Sequence, residues 1–163
     1  MTTTRSKRKS WSEKLNSPKQ AHIAHIPPDQ QARYGGASTL LIPHPLEVKE
    51  ILMDTAPGQL ITPSLVRTIL AAKHGADTTC PLVTGIFLRI VAEAAEEEKG
   101  SNSELPPWWR VISNEGYLNP KFPGSYHLQE SYLKAEGFLI IPGIGKKAPT
   151  VENFTRSLYR SSK

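Results

Sequence analysis

One cysteine, Cys80, stands in 163 residues, so an intrachain disulfide and a cysteine-based metal cluster are both excluded. No run of about 18 or more apolar residues exists, so no membrane partner is expected. Positive charge near the N-terminus is not followed by an apolar stretch, which argues against a secretory signal and leaves only a weak organelle-transit reading. A reducing, cytoplasmic location fits best. The five histidines, His22, His25, His44, His74 and His127, lack metal-ligand spacing such as H-E-x-x-H. No metal site and no cofactor are expected.

Acidic residues are scarce where basic ones are dense. Residues 1–20 carry Arg5, Lys7, Arg8, Lys9, Lys14 and Lys19 against Glu13, which accounts for the whole net charge of +5. The remaining residues balance, so the high isoelectric point describes a basic leader able to track phosphates, not a basic body. With 38% hydrophobic residues the chain is long enough for one compact domain plus tails.

Residues 1–45 mix basic residues, glutamines, Gly35-Gly36 and five prolines with little apolar periodicity, and read as a mostly irregular N-terminal arm. From Leu46 the pattern Leu46, Val48, Ile51, Leu52 and Met53 predicts a short helix ending before Pro57-Gly58. Thr62-Pro63 supplies a hydroxyl cap and a first-position proline for a second helix, with Leu65, Val66, Ile69 and Leu70 at helical spacing and a stop near Gly75. Asp77-Thr78-Thr79 and Pro81 open a third, running to about Glu98. This pair joined by a tight turn has the layout of a helix-turn-helix. Trp108 to Ile112 reads as strand-like, and Ser125 to Gly137 as a last helix. The expected fold is mainly α with short β segments, a winged-helix-like helix-turn-helix domain.

The segment Pro107-Trp108-Trp109-Arg110-Val111-Ile112 resembles the active-site segment P-C-H-R-V-[VI] of the O6-alkylguanine-DNA alkyltransferases. Gly116, Gly124 and Leu133-Lys134-Ala135-Glu136-Gly137 follow as in that family, and the helix, Pro-Gly turn and helix-turn-helix precede it in the family's order. The resemblance covers residues 46–138 and implies the DNA-binding domain alone, with 139–163 as a C-terminal extension. In the family a cysteine takes the alkyl group, activated by a histidine that a glutamate orients. Trp108 and Trp109 stand at the cysteine and histidine positions, and only Glu136 remains of the relay, so the resemblance implies no catalytic residue and no enzyme. Tryptophan is often found at the first position in the alkyltransferase-like proteins, which bind alkylated guanine and flag it for repair; Trp109 departs from them, since they usually keep the histidine.

The resemblance thus implies a non-enzymatic protein with double-stranded DNA containing O6-alkylguanine as partner, and a repair protein as a second partner. Thr78, Thr79, Pro81, Leu82 and Gly85 would meet DNA, with Leu82 at the position of the family's intercalating arginine and Pro63 at that of its tyrosine. Trp108, Trp109, Arg110, Val111, Lys121, Phe122 and Glu136 would form the lesion pocket. The residues also allow blander readings: both tryptophans as core, Arg110 as a buried ion-pair hub, Cys80 as a small buried residue, Glu93 to Glu98 as a solvated helix face, and Gly143 to Lys147 as a flexible basic linker. The alternative function is a protein-interaction module on the same fold without lesion recognition.

Overall fold

The computed structural model describes residues 7–101 and 104–160. Its longest element is helix α4, Pro81–Glu97, against which three other helices and the Trp108–Arg110 turn pack. Helices α2, Pro45–Met53, and α3, Pro63–His74, pack against α4, and their buried faces place Val48, Leu52, Val66 and Leu70 against Leu88 and Val91.

The ends of these helices follow from local chemistry. Thr62 Oγ1 accepts the Leu65 amide at 3.2 Å, Pro63 occupies the first turn, and Gly75 closes α3 at φ +68°. Helix α2 starts on an unusual cap, His44, whose Nδ1 accepts the Leu46 amide at 3.0 Å while the Glu47 carboxylate accepts the His44 amide at 3.1 Å. That pair is a capping box built on histidine. Glu47 also meets His74 Nε2 at 2.5 Å and Lys73 Nζ at 3.4 Å, which ties α2 to the end of α3. Burial pushes the Glu47 carboxyl up, but the His74 hydrogen bond, the His44 amide and Lys73 outweigh it and hold the group below its ordinary range.

Residues 7–45 are not an irregular arm, and residues 1–6 of the expected arm lie outside the described residues. Helix α1, Trp11–Leu15, lies on α4, strands β1, His22–His25, and β2, Thr39–Ile42, pair antiparallel, and β2 runs parallel to β3, Thr78–Thr79. Leu15, Ile26 and Leu41 are buried. The prolines and glycines that mask periodicity here sit between elements: Pro28–Tyr34 is a 3-10 turn closed by Gly35 at φ +65°. The order in this region is set by a distant partner, β3, and not by local pattern.

Residues 139–163 are likewise integral as far as Arg160, the last described residue. Strands β4, Ile140–Ile141, and β5, Thr150–Val151, form a hairpin, and Leu158 bridges Leu60. Leu60, Ile112, Leu118, Leu133 and Val151 make a second, smaller core. Gly143 belongs to a tight turn and not to a linker: a Cβ there would collide with the Lys147 carbonyl oxygen.

The strand expected at 108–112 is a 3-10 turn, Trp108–Arg110, leading to a single bridge between Val111 and Ile61. The amides of Trp108 and Arg110 bond back to the carbonyls of Pro106 and Pro107, so the chain coils before it can pair. Helix α5, Ser125–Ala135, follows, and Gly137 at φ +93° ends it. Among the described residues no helix is long and apolar enough to cross a membrane, and no three His, Cys, Asp or Glu side chains cluster as metal ligands.

Candidate nucleic-acid interface

The outward face of α4 is apolar where water should select polar residues. Leu82 is 73% exposed and Ile86 49%, with Pro81, Gly85 and Arg89 exposed beside them. Position Gly85 carries no side chain and nothing lies within 4 Å of where its Cβ would be, so the middle of this face is open. A groove of about 700 Å³ runs along it, walled by Arg8, Trp11 and Lys14 from the N-terminal region and by Asn119 and Lys121 from the loop before α5. Among the described residues, four cations and no acid line the groove. Two of them meet the Trp11 ring, Lys14 Nζ at 4.2 Å and Arg89 Cζ at 5.4 Å from its centroid.

The residues expected to touch DNA separate into two groups. Pro81, Leu82 and Gly85 lie on the groove. Thr78 is half-buried in β3, and Thr79 is fully buried, its Oγ1 donating to the Arg67 carbonyl at 2.8 Å. Thr79 therefore faces the interior, because β3 pairs with β2 and turns that side chain under α3. Cys80, half-buried, holds the cap position of α4, and its carbonyl accepts from Thr84 Oγ1 at 2.8 Å.

The residues expected to line a lesion pocket fill it instead. Trp108 has no exposed surface, and its indole meets Phe122 edge-on at 5.6 Å, Tyr132 at 5.8 Å and Trp109 at 6.1 Å. Phe122 and Val111 are buried in the same core. Trp109 is half-buried and stacks on Tyr132 with centroids 4.4 Å apart, and its Nε1 is buried without a hydrogen-bond partner among the described residues. Lys121, by contrast, is exposed on the groove.

Arg110 is a structural hub. Its Nε donates to Glu136 at 2.9 Å and 3.2 Å, a terminal nitrogen pairs with the same carboxylate, and the other donates to the Thr55 carbonyl and hydroxyl at 2.7 Å and 3.0 Å. Glu136 thus orients an arginine, in a place where the resemblance has it orient a histidine.

The acidic end of α4 is not simply a solvated face. Acids at a helix C-terminus oppose its dipole, and two of these find donors: half-buried Glu96 accepts Trp108 Nε1 at 3.1 Å and the Tyr132 hydroxyl at 3.2 Å, while Glu97, itself exposed, accepts the Trp11 and Ser12 amides at 3.2 Å and 3.3 Å. Sequence reasoning missed this, together with Trp11, Arg89 and Asn119 on the groove; it had Arg8 and Lys14 as phosphate-tracking residues of the leader but not their place on this wall. It also missed Gln129, fully buried, whose Nε2 donates to the Trp109 and Val111 carbonyls and whose Oε1 takes the Asn119 amide, which fixes the loop bearing Lys121. A glutamine on the inner face of α5 was the only available hint.

No protein-family model matches the chain, and no curated protein sequence does. Solved structures do. S. pombe Atl1 in complex with damaged DNA containing O6-carboxymethylguanine superposes with a TM-score of 0.50 at 15% identity, over 72% of this chain and 94% of that one. A second structure, S. pombe ATL in complex with DNA, gives 0.49 at 15% identity over the same shares. The mainly helical architecture expected from the sequence, with its short strands, is therefore that of a solved protein: this chain has the Atl1 fold.

Proposed function

We propose that the chain binds duplex DNA without catalysing a reaction, and that it senses alkylated guanine as a weakened base pair in a repair role. The observation that carries this reading is the exposed face of α4 bearing Leu82 and Ile86, set in a groove whose charged lining is cationic among the described residues. Apolar side chains that press between base steps and cations that neutralise phosphates are the two parts of a DNA-deforming surface. The shared fold with Atl1, which was solved in complex with damaged DNA, supports DNA as the partner.

The non-enzymatic part rests on Trp108 and Trp109, whose indoles offer neither the thiolate nor the imidazole that alkyl transfer requires. Their packing also shapes how a lesion is read. With Trp108 and Phe122 closing the expected pocket, discrimination comes from the pair that yields most easily to Leu82. Opening a damaged pair costs less than opening a sound one.

Leu82→Asp tests the reading. The site is exposed, so the substitution leaves stability within about 0.5 kcal/mol, while a carboxylate against phosphate raises the dissociation constant for duplex DNA by at least about tenfold, or about 1.4 kcal/mol. Unchanged affinity in a fluorescence-polarisation titration overturns the assignment of this face. The rival reading, a protein-interaction module, is favoured by exposed Leu139, Ile141 and Ile144 on the β4–β5 hairpin, and it predicts no duplex binding by the wild type.

A further inference from the structure

We propose that α1 is a docked phosphate clamp, a wall of the groove held in place by the acidic end of α4 so that Arg8 and Lys14 grip the DNA backbone. The inference rests on the DNA-binding reading and adds a positioned surface where the sequence shows only a charged leader.

Three observations carry it. First, α1 is latched from both sides of its length: Glu97 takes the amides of Trp11 and Ser12, Glu98 takes the Ser12 hydroxyl at 3.0 Å, and Leu15 is buried at the far end. The first amides of a helix have no partner of their own, so a carboxylate there fixes where the helix begins and how it is aimed. Second, docking concentrates like charge. Lys14 and Arg89 share the Trp11 ring, Arg8 and Lys121 border the same groove, and among the described residues the one acid paired with Arg89 is Glu93, at a loose 3.8 Å. Cations drawn together on an aromatic ring repel one another until an anion lies between them. Third, neither Glu97 nor Glu98 lines the groove, and among the described residues no other acid does. A polyanion meets Arg8, Lys14, Arg89 and Lys121 without passing a carboxylate that lines its path.

A free basic arm and a docked clamp respond oppositely to removal of the latch. Glu97→Ala/Glu98→Ala deletes two negative charges. If the leader acts as a loose polycation, the variant binds duplex DNA as tightly as wild type or more tightly. If α1 must be docked, the dissociation constant rises severalfold although net charge rises by two, and the Trp11 and Ser12 amides exchange faster with solvent. Arg8→Ala/Lys14→Ala, which keeps the latch, weakens binding about tenfold and lowers the salt slope by about 1.8, near 0.9 for each phosphate no longer neutralised. The experiment uses the full chain and a duplex of fixed sequence, with hydrogen exchange and polarisation read on the same samples. Unchanged exchange in the Glu97→Ala/Glu98→Ala protein overturns the latch; faster exchange with undiminished affinity overturns the clamp. Wild type that ignores the duplex sinks the DNA-binding reading itself, whereas wild type that binds through Leu82 with both α1 variants unaffected sinks only this inference.

Discussion

Replacing Trp108 with alanine lowers the free energy of unfolding by about 3–5 kcal/mol, the range for truncating a buried tryptophan. The indole is fully enclosed, touches three aromatic rings and satisfies Glu96 through Nε1. Truncation removes that buried area, leaves a cavity between α4 and α5, and deprives Glu96 of a donor. Trp108→Phe gives up the hydrogen bond and part of the ring packing while keeping an aromatic ring in the site, and costs less, about 1–3 kcal/mol. Urea denaturation measures both, with an unchanged slope for each variant. A cost below about 1 kcal/mol for Trp108→Ala would mean that the indole is solvated and the pocket open. The result also governs how binding is interpreted, since weakened affinity in Trp108→Ala reflects unfolding until it is corrected for folded fraction.

Arg110→Ala costs a similar amount, about 3–5 kcal/mol, because it strands a carboxylate in the interior. Glu136 loses its bidentate partner, and the Thr55 carbonyl, at the end of the α2 segment, loses its donor. Arg110→Lys fails to restore stability, since a single ammonium cannot reach Glu136 and Thr55 together. Combining Arg110→Met with Glu136→Gln recovers much of the loss, because neither partner is then left charged and alone. A double-mutant cycle by chemical denaturation gives the coupling directly. Single-variant costs within about 0.5 kcal/mol would show that the pair is solvent-screened.

Helices α2 to α5 were legible because their ends are written locally. Thr62-Pro63, Gly75, Pro81 and Gly137 each act on backbone groups a few residues away, so the sequence alone places them. The N-terminal strands were not legible, because β2 is ordered by Thr78 and Thr79, nearly forty residues on. The same holds for Leu158, which finds Leu60 across about a hundred residues. Trp108 misled for a different reason: its β propensity was overridden by two prolines and by turn hydrogen bonds that coil the segment.

The candidate site divides along the same line. Pro81, Leu82 and Gly85 could be placed on one exposed face because they share a helix whose phase was known. Arg8, Trp11 and Lys14 reach that face only through tertiary docking on Glu97 and Glu98. Glu96 reads as an exposed acid in any helical wheel, yet it bonds Trp108 and Tyr132 because α5 comes to cover it.

The salt dependence of duplex affinity tests the central claim most directly, measured with wild type on matched duplexes with and without a single O6-methylguanine. Four groove cations predict that the logarithm of affinity falls against the logarithm of salt with a slope of about −3.6 on both duplexes, with tighter binding to the damaged one at every salt concentration. Absence of binding to either duplex, or a slope near zero, contradicts the account.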